Sequence, residues 1–322
     1  MIEHIQNALR NEIQTQQIIS ELKNGGNVSL KQINGSAPAF LCHDLESSFG
    51  ALLILTEDHE RAAAFASDIE QLGADGVFLF PPTRRKPYDE QKIVDTSTMV
   101  QRSEVLEKIQ SGEANIVVSP IEAIYEKLVP PEQFANASML LEKGMELSPD
   151  SLAERLTDQG YTTERFVGAP GEFAVRGGIF DIFPFSGEYP LRLEFFGDEI
   201  DTIREFDPDS QRSVAFLKHA RIVPNAAFST GKEKQSLLSY LPDSSVLVMD
   251  KADLFTDKID EFLEEAQTRF KDLDDDTINP PEAEFLTSEE WQQALDTFPA
   301  LTFGSMNRSV EPGLTIEINS SP

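Results

Sequence analysis

Four short strand-like stretches, each built on an unbroken apolar run, dominate the chain: Ala51–Leu55, Gly76–Phe80, Asn115–Ser119 and Val246–Asp250. A strand that alternates polar and apolar residues buries one face. A strand that is apolar throughout must be covered on both, which is the condition of a parallel sheet with helices on each side. Helical patterning lies between the runs, over Thr56–Leu72, Ser97–Ser111, Pro120–Leu128 and, after the last run, Leu254–Phe270. This alternation predicts an α/β fold built on a parallel sheet. Residues 1–23 read as a further helix, with Ile2, Ile5, Leu9, Ile13, Ile18 and Leu22 close to one stripe, and Asn34–Pro38 as a loop. Lys232–Tyr240 is also helical in pattern, and Leu301–Phe303 and Leu314–Ile318 give short closing strands.

The pattern changes near residue 145. Ser148-Pro149-Asp150 is a helix start, with proline at the first helical position. From 161 to 223 the chain reads mainly as β, with strands at Glu172–Arg176, Ile179–Phe183, Leu191–Phe196, Glu199–Phe206 and Phe216–Val223. Gly197-Asp198 between two of them fits a two-residue hairpin turn. The expected architecture is a parallel-sheet unit with an inserted small α+β domain.

The 322 residues carry 27 Lys+Arg against 56 Asp+Glu, a net charge of -29, which opposes independent DNA binding except through a concentrated basic patch. Arg84-Arg85-Lys86 is the strongest such cluster and reads as an exposed loop. The single cysteine, Cys42, excludes an internal disulfide framework. His4, His43, His59 and His219 show no metal-ligand spacing, so no metal site is expected. The opening MIEHIQNALRNEIQ lacks the apolar core of a signal peptide, and the chain is expected to be cytoplasmic. The ending Ser320-Ser321-Pro322 is linker-like, as in a fragment of a longer protein.

Nucleotide chemistry on an α/β sheet needs a glycine-rich loop, a lysine for the phosphates and a hydroxyl for magnesium. The loop at 34–40, NGSAPAF, carries no lysine, and Gly231-Lys232 is followed by Glu233. Val246–Asp250 ends in an acid, but Lys251 stands where a catalytic Glu would follow. Asp250 is therefore expected to be a solvated carboxylate or a helix cap, with no catalytic residue and no cofactor assigned. Strand alternation puts Arg192, Glu194 and Phe196 on the face opposite Leu191, Leu193 and Phe195. An exposed Phe beside an Arg is the residue mix of binding hot spots. Alternation equally allows Phe196 to pack under the turn and Arg192 to pair with Glu194. Arg176, before Gly177-Gly178, is either aimed outward by the turn or paired with Glu172 or Asp181.

The stretch GEFAVRGGIFDIFPFSGEYPLRLEFFGDEIDTIREFDPDSQRS (171–213) resembles the signature of domain 2 in the UvrB and Mfd families of nucleotide-excision repair. FPPTRRKPYDE (80–90), SEVLEKIQSGEANIVVSPIEAI (103–124) and SLLSYLPDSSVLVMD (236–250) are similar to the helicase-like domains that flank it. The missing phosphate-loop lysine and acidic pair favour the N-terminal UvrB-homology module of Mfd-type transcription-repair coupling factors, because UvrB keeps both. The resemblance implies a degenerate helicase-like domain 1a at 1–137, a UvrA-binding domain 2 at 138–223 and domain 1b at 224–322. It implies a non-catalytic module that recruits UvrA through Arg176, Arg192 and Phe196. It further implies that the ATP-dependent translocase motor, the RNA-polymerase-binding domain and an autoinhibitory C-terminal domain lie downstream in the parent protein. Two alternatives stay open: a UvrB-like, nucleotide-dependent DNA-remodelling fragment, and a purely architectural domain.

Overall fold

A computed structural model describes residues 14–33, 35–83, 86–88, 96–226, 233–273, 278–303 and 313–317. The fold begins with α1 (Thr15–Lys23), β1 (Val28–Lys31), α2 (Ala37–Leu45), β2 (Leu52–Thr56), α3 (His59–Gln71) and β3 (Val77–Leu79). Next come α4 (Thr96–Ser111) and β4 (Ile116–Pro120). The middle of the chain holds α5 (Pro131–Ala137), β5 (Met139–Glu142), α6 (Pro149–Asp158), β6 (Thr162–Thr163), β7 (Glu172–Arg176) and β8 (Ile179–Phe183). It continues through β9 (Leu191–Phe196), β10 (Glu199–Phe206), β11 (Ser213–Leu217) and β12 (His219–Ile222). The last third holds β13 (Val246–Asp250), α7 (Phe255–Lys271), α8 (Pro281–Glu284), α9 (Ser288–Thr297), β14 (Ala300–Phe303) and β15 (Leu314–Glu317). No helix among the described residues is long and apolar enough to cross a membrane.

The chain divides into two units. One comprises Met1–Glu90, Ser111–Lys127 and Ser236–Pro322, and the other Gln91–Gln110 and Leu128–Gln235. The first is built on a seven-stranded sheet in the order β15-β1-β14-β13-β2-β4-β3. Every pairing in it is parallel. Three of the four apolar runs are buried as expected: Leu52 to Leu55, Ile116 to Val118 and Val246 to Met249 are all fully buried. The run at 76–80 is not: β3 is the edge of the sheet, covered by a neighbour on one side only, and Val77 to Leu79 are half-buried. Helix residues Ile18, Leu41, Cys42, Leu45, Phe65 and Ile69 cover the sheet in one cluster with Leu52, Ile54, Val118 and Val248. Strands from both ends of the chain share this sheet, so the segment between β4 and β13 is an excursion from it.

The second unit holds a six-stranded sheet in the order β11-β10-β9-β8-β7-β6, and a separate pair, β12 with β5. β7 to β11 are linked by antiparallel pairings, with β6 added in parallel at one edge. Its main core gathers Leu152, Leu156, Tyr161, Phe173, Phe180, Ile182 and Leu193, all at most 3% exposed. Gly171 shows how tightly this sheet closes. Its φ is +86°, and a Cβ there would sit 2.5 Å from the Phe185 ring. Gly171→Ala therefore combines backbone strain with overpacking and should cost about 2 kcal/mol or more, read as a lowered urea midpoint.

Several expectations are corrected. Residues 37 and 38, read as loop, open α2, with Pro38 in its first turn. Proline suits that position because its missing N–H would be unpaired there anyway. The strand expected over 216–223 is two strands. β11 pairs with β10 and stops at Leu217, while β12 turns to β5, burying Ala220 and Ile222 with Met139 and Leu141. The helix expected over 120–128 is a single 3-10 turn, Ile121–Ile124, and that over 232–240 is a 3-10 turn at Leu237–Tyr240. Residues 227–232 lie outside the described set, as do 1–13, Arg84 and Arg85.

Candidate docking site on the antiparallel sheet

The register of the antiparallel sheet fixes which side chains share a face. Ala174 lies opposite Asp181, Asp181 opposite Arg192, Arg192 opposite Arg204, and Arg204 opposite Phe216. One step along, Arg176 lies opposite Ile179, and Ile179 opposite Glu194. Phe196 follows Glu194 on the same side of β9. This face is the opposite of the one that carries Phe173, Phe180 and Leu193 into the main core.

At the centre is Asp181, 1% exposed in the middle of an otherwise apolar strand. Arg192 grips it with two bonds, Nε to Oδ1 at 2.6 Å and Nη2 to Oδ2 at 2.9 Å. Arg176 Nη2 donates to the same Oδ2. Arg192 also donates to the Gln211 side-chain oxygen at 2.7 Å and lies 4.2 Å from the Phe206 ring centroid. Hydrogen bonding to Asp181 raises the Arg192 pKa against the opposing effect of burial, so its charge is secure. Arg176 is held at two further points, by the Arg165 carbonyl at 3.0 Å and over the Phe166 ring at 4.7 Å. A planar guanidinium fixed on three sides has little rotamer freedom left to lose on binding.

The face grades from core to solvent. At one end Val167, Ala174, Phe183 and Phe206 form a second small core. Arg192 stands against it and is 9% exposed; Phe196, at the far end of the same strand, is 83% exposed. Neither alternative that alternation left open holds for Arg192: it is buried, and its partner is not Glu194. Alternation assigned it to the correct face, but that face is roofed here by Phe206 and by the turn that delivers Gln211. Its partner is Asp181, not Glu194, which pairs instead with Arg204 at 2.7 Å. Arg176 also chooses Asp181 over Glu172, whose carboxylate accepts from the Gly168 and Ala169 backbone N–H groups. Asp181 brings Arg176 and Arg192 together. Phe196 is set apart from them, about 13 Å along the strand from Arg192 at 3.3 Å per residue.

Phe196 is firmly mounted. Gly197, at φ +64°, and Asp198 form the turn into Glu199, which pairs back to Phe196. The neighbouring segment clamps this hairpin end, Leu147 N–H donating to the Asp198 carbonyl at 2.7 Å and Gly144 N–H to that of Ile200 at 2.7 Å. On the other side Phe195 N–H donates to the Gly178 carbonyl at 2.8 Å, tying the β7–β8 turn to β9.

Sequence reasoning missed the role of Asp181 as shared acceptor, and missed Phe166 and Gln211 altogether. An aspartate within IFDIF is itself a signal, since a buried carboxylate needs a cationic partner.

In the other unit, the end of β13 is occupied by ion pairs. Arg61 Nε donates to Asp250 Oδ2 at 2.9 Å, and Lys251 pairs with Glu57, whose backbone carbonyl accepts from Lys258 at 3.0 Å. Asp250 is neither a free carboxylate nor a helix cap.

Residues 139–228 match the family described as the UvrB interaction domain. The Asp181 cluster and Phe196 lie within the stretch that matches this family. Over a longer span the chain is homologous to transcription-repair-coupling factors. It is 33% identical to that of Bacillus subtilis over 225 residues, 69% of this chain and 19% of the relative. With that of Haemophilus influenzae it shares 26% identity over 313 residues, 80% of this chain and 26% of the relative. The Escherichia coli factor is 29% identical over 216 residues, 66% of this chain and 18% of the relative. The chain spans roughly a fifth to a quarter of the length of these relatives.

Proposed function

We propose that this chain serves transcription-repair coupling as a non-catalytic docking module that recruits UvrA through the polar face of its antiparallel sheet. Phe196 is the direct anchor, Arg176 a pre-oriented cation on the same face, and Arg192 the buried member that fixes Asp181 and through it Arg176. The observation that carries the reading is the pairing of a rigidly mounted, 83% exposed Phe196 with the Arg176–Asp181–Arg192 cluster on one face of a UvrB interaction domain. We assign the flanking helicase-like unit a supporting role. The β1–α2 loop carries no lysine, and Asp250 is engaged by Arg61 where a magnesium-binding acid would have to be free. RNA polymerase, DNA and an autoinhibitory C-terminal domain are proposed partners of the parent protein rather than of this face.

Titration of the full chain with purified UvrA tests this. The wild-type chain should bind saturably. The Arg176→Ala, Arg192→Ala, Phe196→Ala triple variant, if its circular dichroism shows it folded, should not. Equal binding by both would overturn the site, and no binding by the wild-type chain would overturn the function.

A further inference from the structure

We infer that Phe216, on the edge strand β11, is a second aromatic anchor of the same docking face, so that the UvrA footprint crosses the sheet from the β9–β10 hairpin to its edge. This rests on the reading that UvrA docks on this face, and adds to it a residue outside the segment that suggested it. Among the described residues the two most exposed large hydrophobic side chains are Phe196, at 83%, and Phe216, at 72%. The register places both on one face of one sheet, because Phe216 lies opposite Arg204 and Arg204 opposite Arg192. Two strand spacings separate Phe216 from Arg192, and four residues along β9 separate Arg192 from Phe196. The two rings are therefore rooted about 16 Å apart. A partner burying about 800 Å² covers a patch roughly 28 Å across, so one footprint takes both.

The edge position of β11 points the same way. An edge strand offers unpaired backbone groups, and stable folds protect it with charge or with a cover. β11 instead exposes Val214, at 51%, and Phe216 side by side beside a bulge in its pairing with β10. Charged side chains are a usual means of protection, and none occurs within β11. Arg204, opposite Phe216 and opposite Arg192, lies between the two rings in register and is paired with Glu194. The surface that fits is one of UvrA with apolar seats for two rings.

The test compares UvrA binding by the wild-type chain, Phe216→Ala, Phe196→Ala and the double variant, with analytical ultracentrifugation of each alone. Phe216→Ala should weaken binding about tenfold or more and leave the melting temperature unchanged, since its ring contributes little to the core. A second readout uses Phe216→Cys carrying an environment-sensitive dye. Cys42 is fully buried, and burial pushes its thiol pKa up, so only the new thiol reacts. Addition of UvrA should blue-shift the dye. If Phe196→Ala weakens binding while Phe216→Ala stays within twofold of wild type and the dye does not respond, this inference fails and the docking function stands. If Phe216→Ala instead abolishes self-association and leaves UvrA binding intact, the ring serves a second copy of the chain and the inference is overturned. If the wild-type chain does not bind UvrA, both readings fall.

Discussion

Asp181→Ala will destabilise the antiparallel-sheet unit by about 3–5 kcal/mol, the range for removing one partner of a buried ion pair. The cost comes mainly from Arg192. Its guanidinium is enclosed by Phe206 and Gln211, and without the carboxylate only the amide oxygen of Gln211 remains of the side-chain acceptors it uses now. Arg176, with its side chain 30% exposed, can recover water and should contribute less. Asp181→Asn keeps one acceptor oxygen and should lose a smaller amount. Urea unfolding followed by circular dichroism measures both variants. A loss under about 1 kcal/mol for Asp181→Ala would show that the cluster does not hold this face together.

The second large effect separates the anchor from its support. Phe196→Ala should weaken UvrA binding by about 2 kcal/mol, a factor of about 30, with no change in unfolding midpoint. Its ring is in solvent, and the hairpin below it is held by backbone bonds that do not involve the side chain. Arg192→Ala should lower both affinity and stability, because it leaves Asp181 with Arg176 as its remaining cation and releases the orientation of that residue. Isothermal titration beside thermal melts reads the two quantities together. If Arg192→Ala abolished binding at unchanged stability, Arg192 would contact UvrA itself and the support role assigned to it would be wrong.

The inner strands β2, β4 and β13 were legible because they are apolar on both faces. β1 was not, because Ser29 and Lys31 interrupt its apolar pattern and only its pairing with β14 and β15 makes it a strand. The strands β7 to β10 were legible to the residue because glycine-bearing turns bracket most of their ends. What stayed hidden depends on partners distant in sequence. β5 and β12 pair across some eighty positions, and each is four residues long, too short for periodicity to mark either. The environment of Arg192 was hidden for the same reason. Alternation states which side of a strand a residue occupies, but whether that side meets water is decided by Phe206 and by Gln211, fourteen and nineteen positions onward. Asp181 belongs to this class too, since its opposition to Arg192 follows from a register that the seven residues between β8 and β9 leave open.

The burial of the Asp181 cluster has a consequence for ionic strength. Mobile ions screen charges in solvent over a Debye length of about 8–10 Å but reach an enclosed pair far less. Added salt should therefore slow the electrostatic approach of a partner while leaving the scaffold beneath it intact. Recognition by this surface can then be tuned by the cell's electrolyte without endangering the fold that presents it.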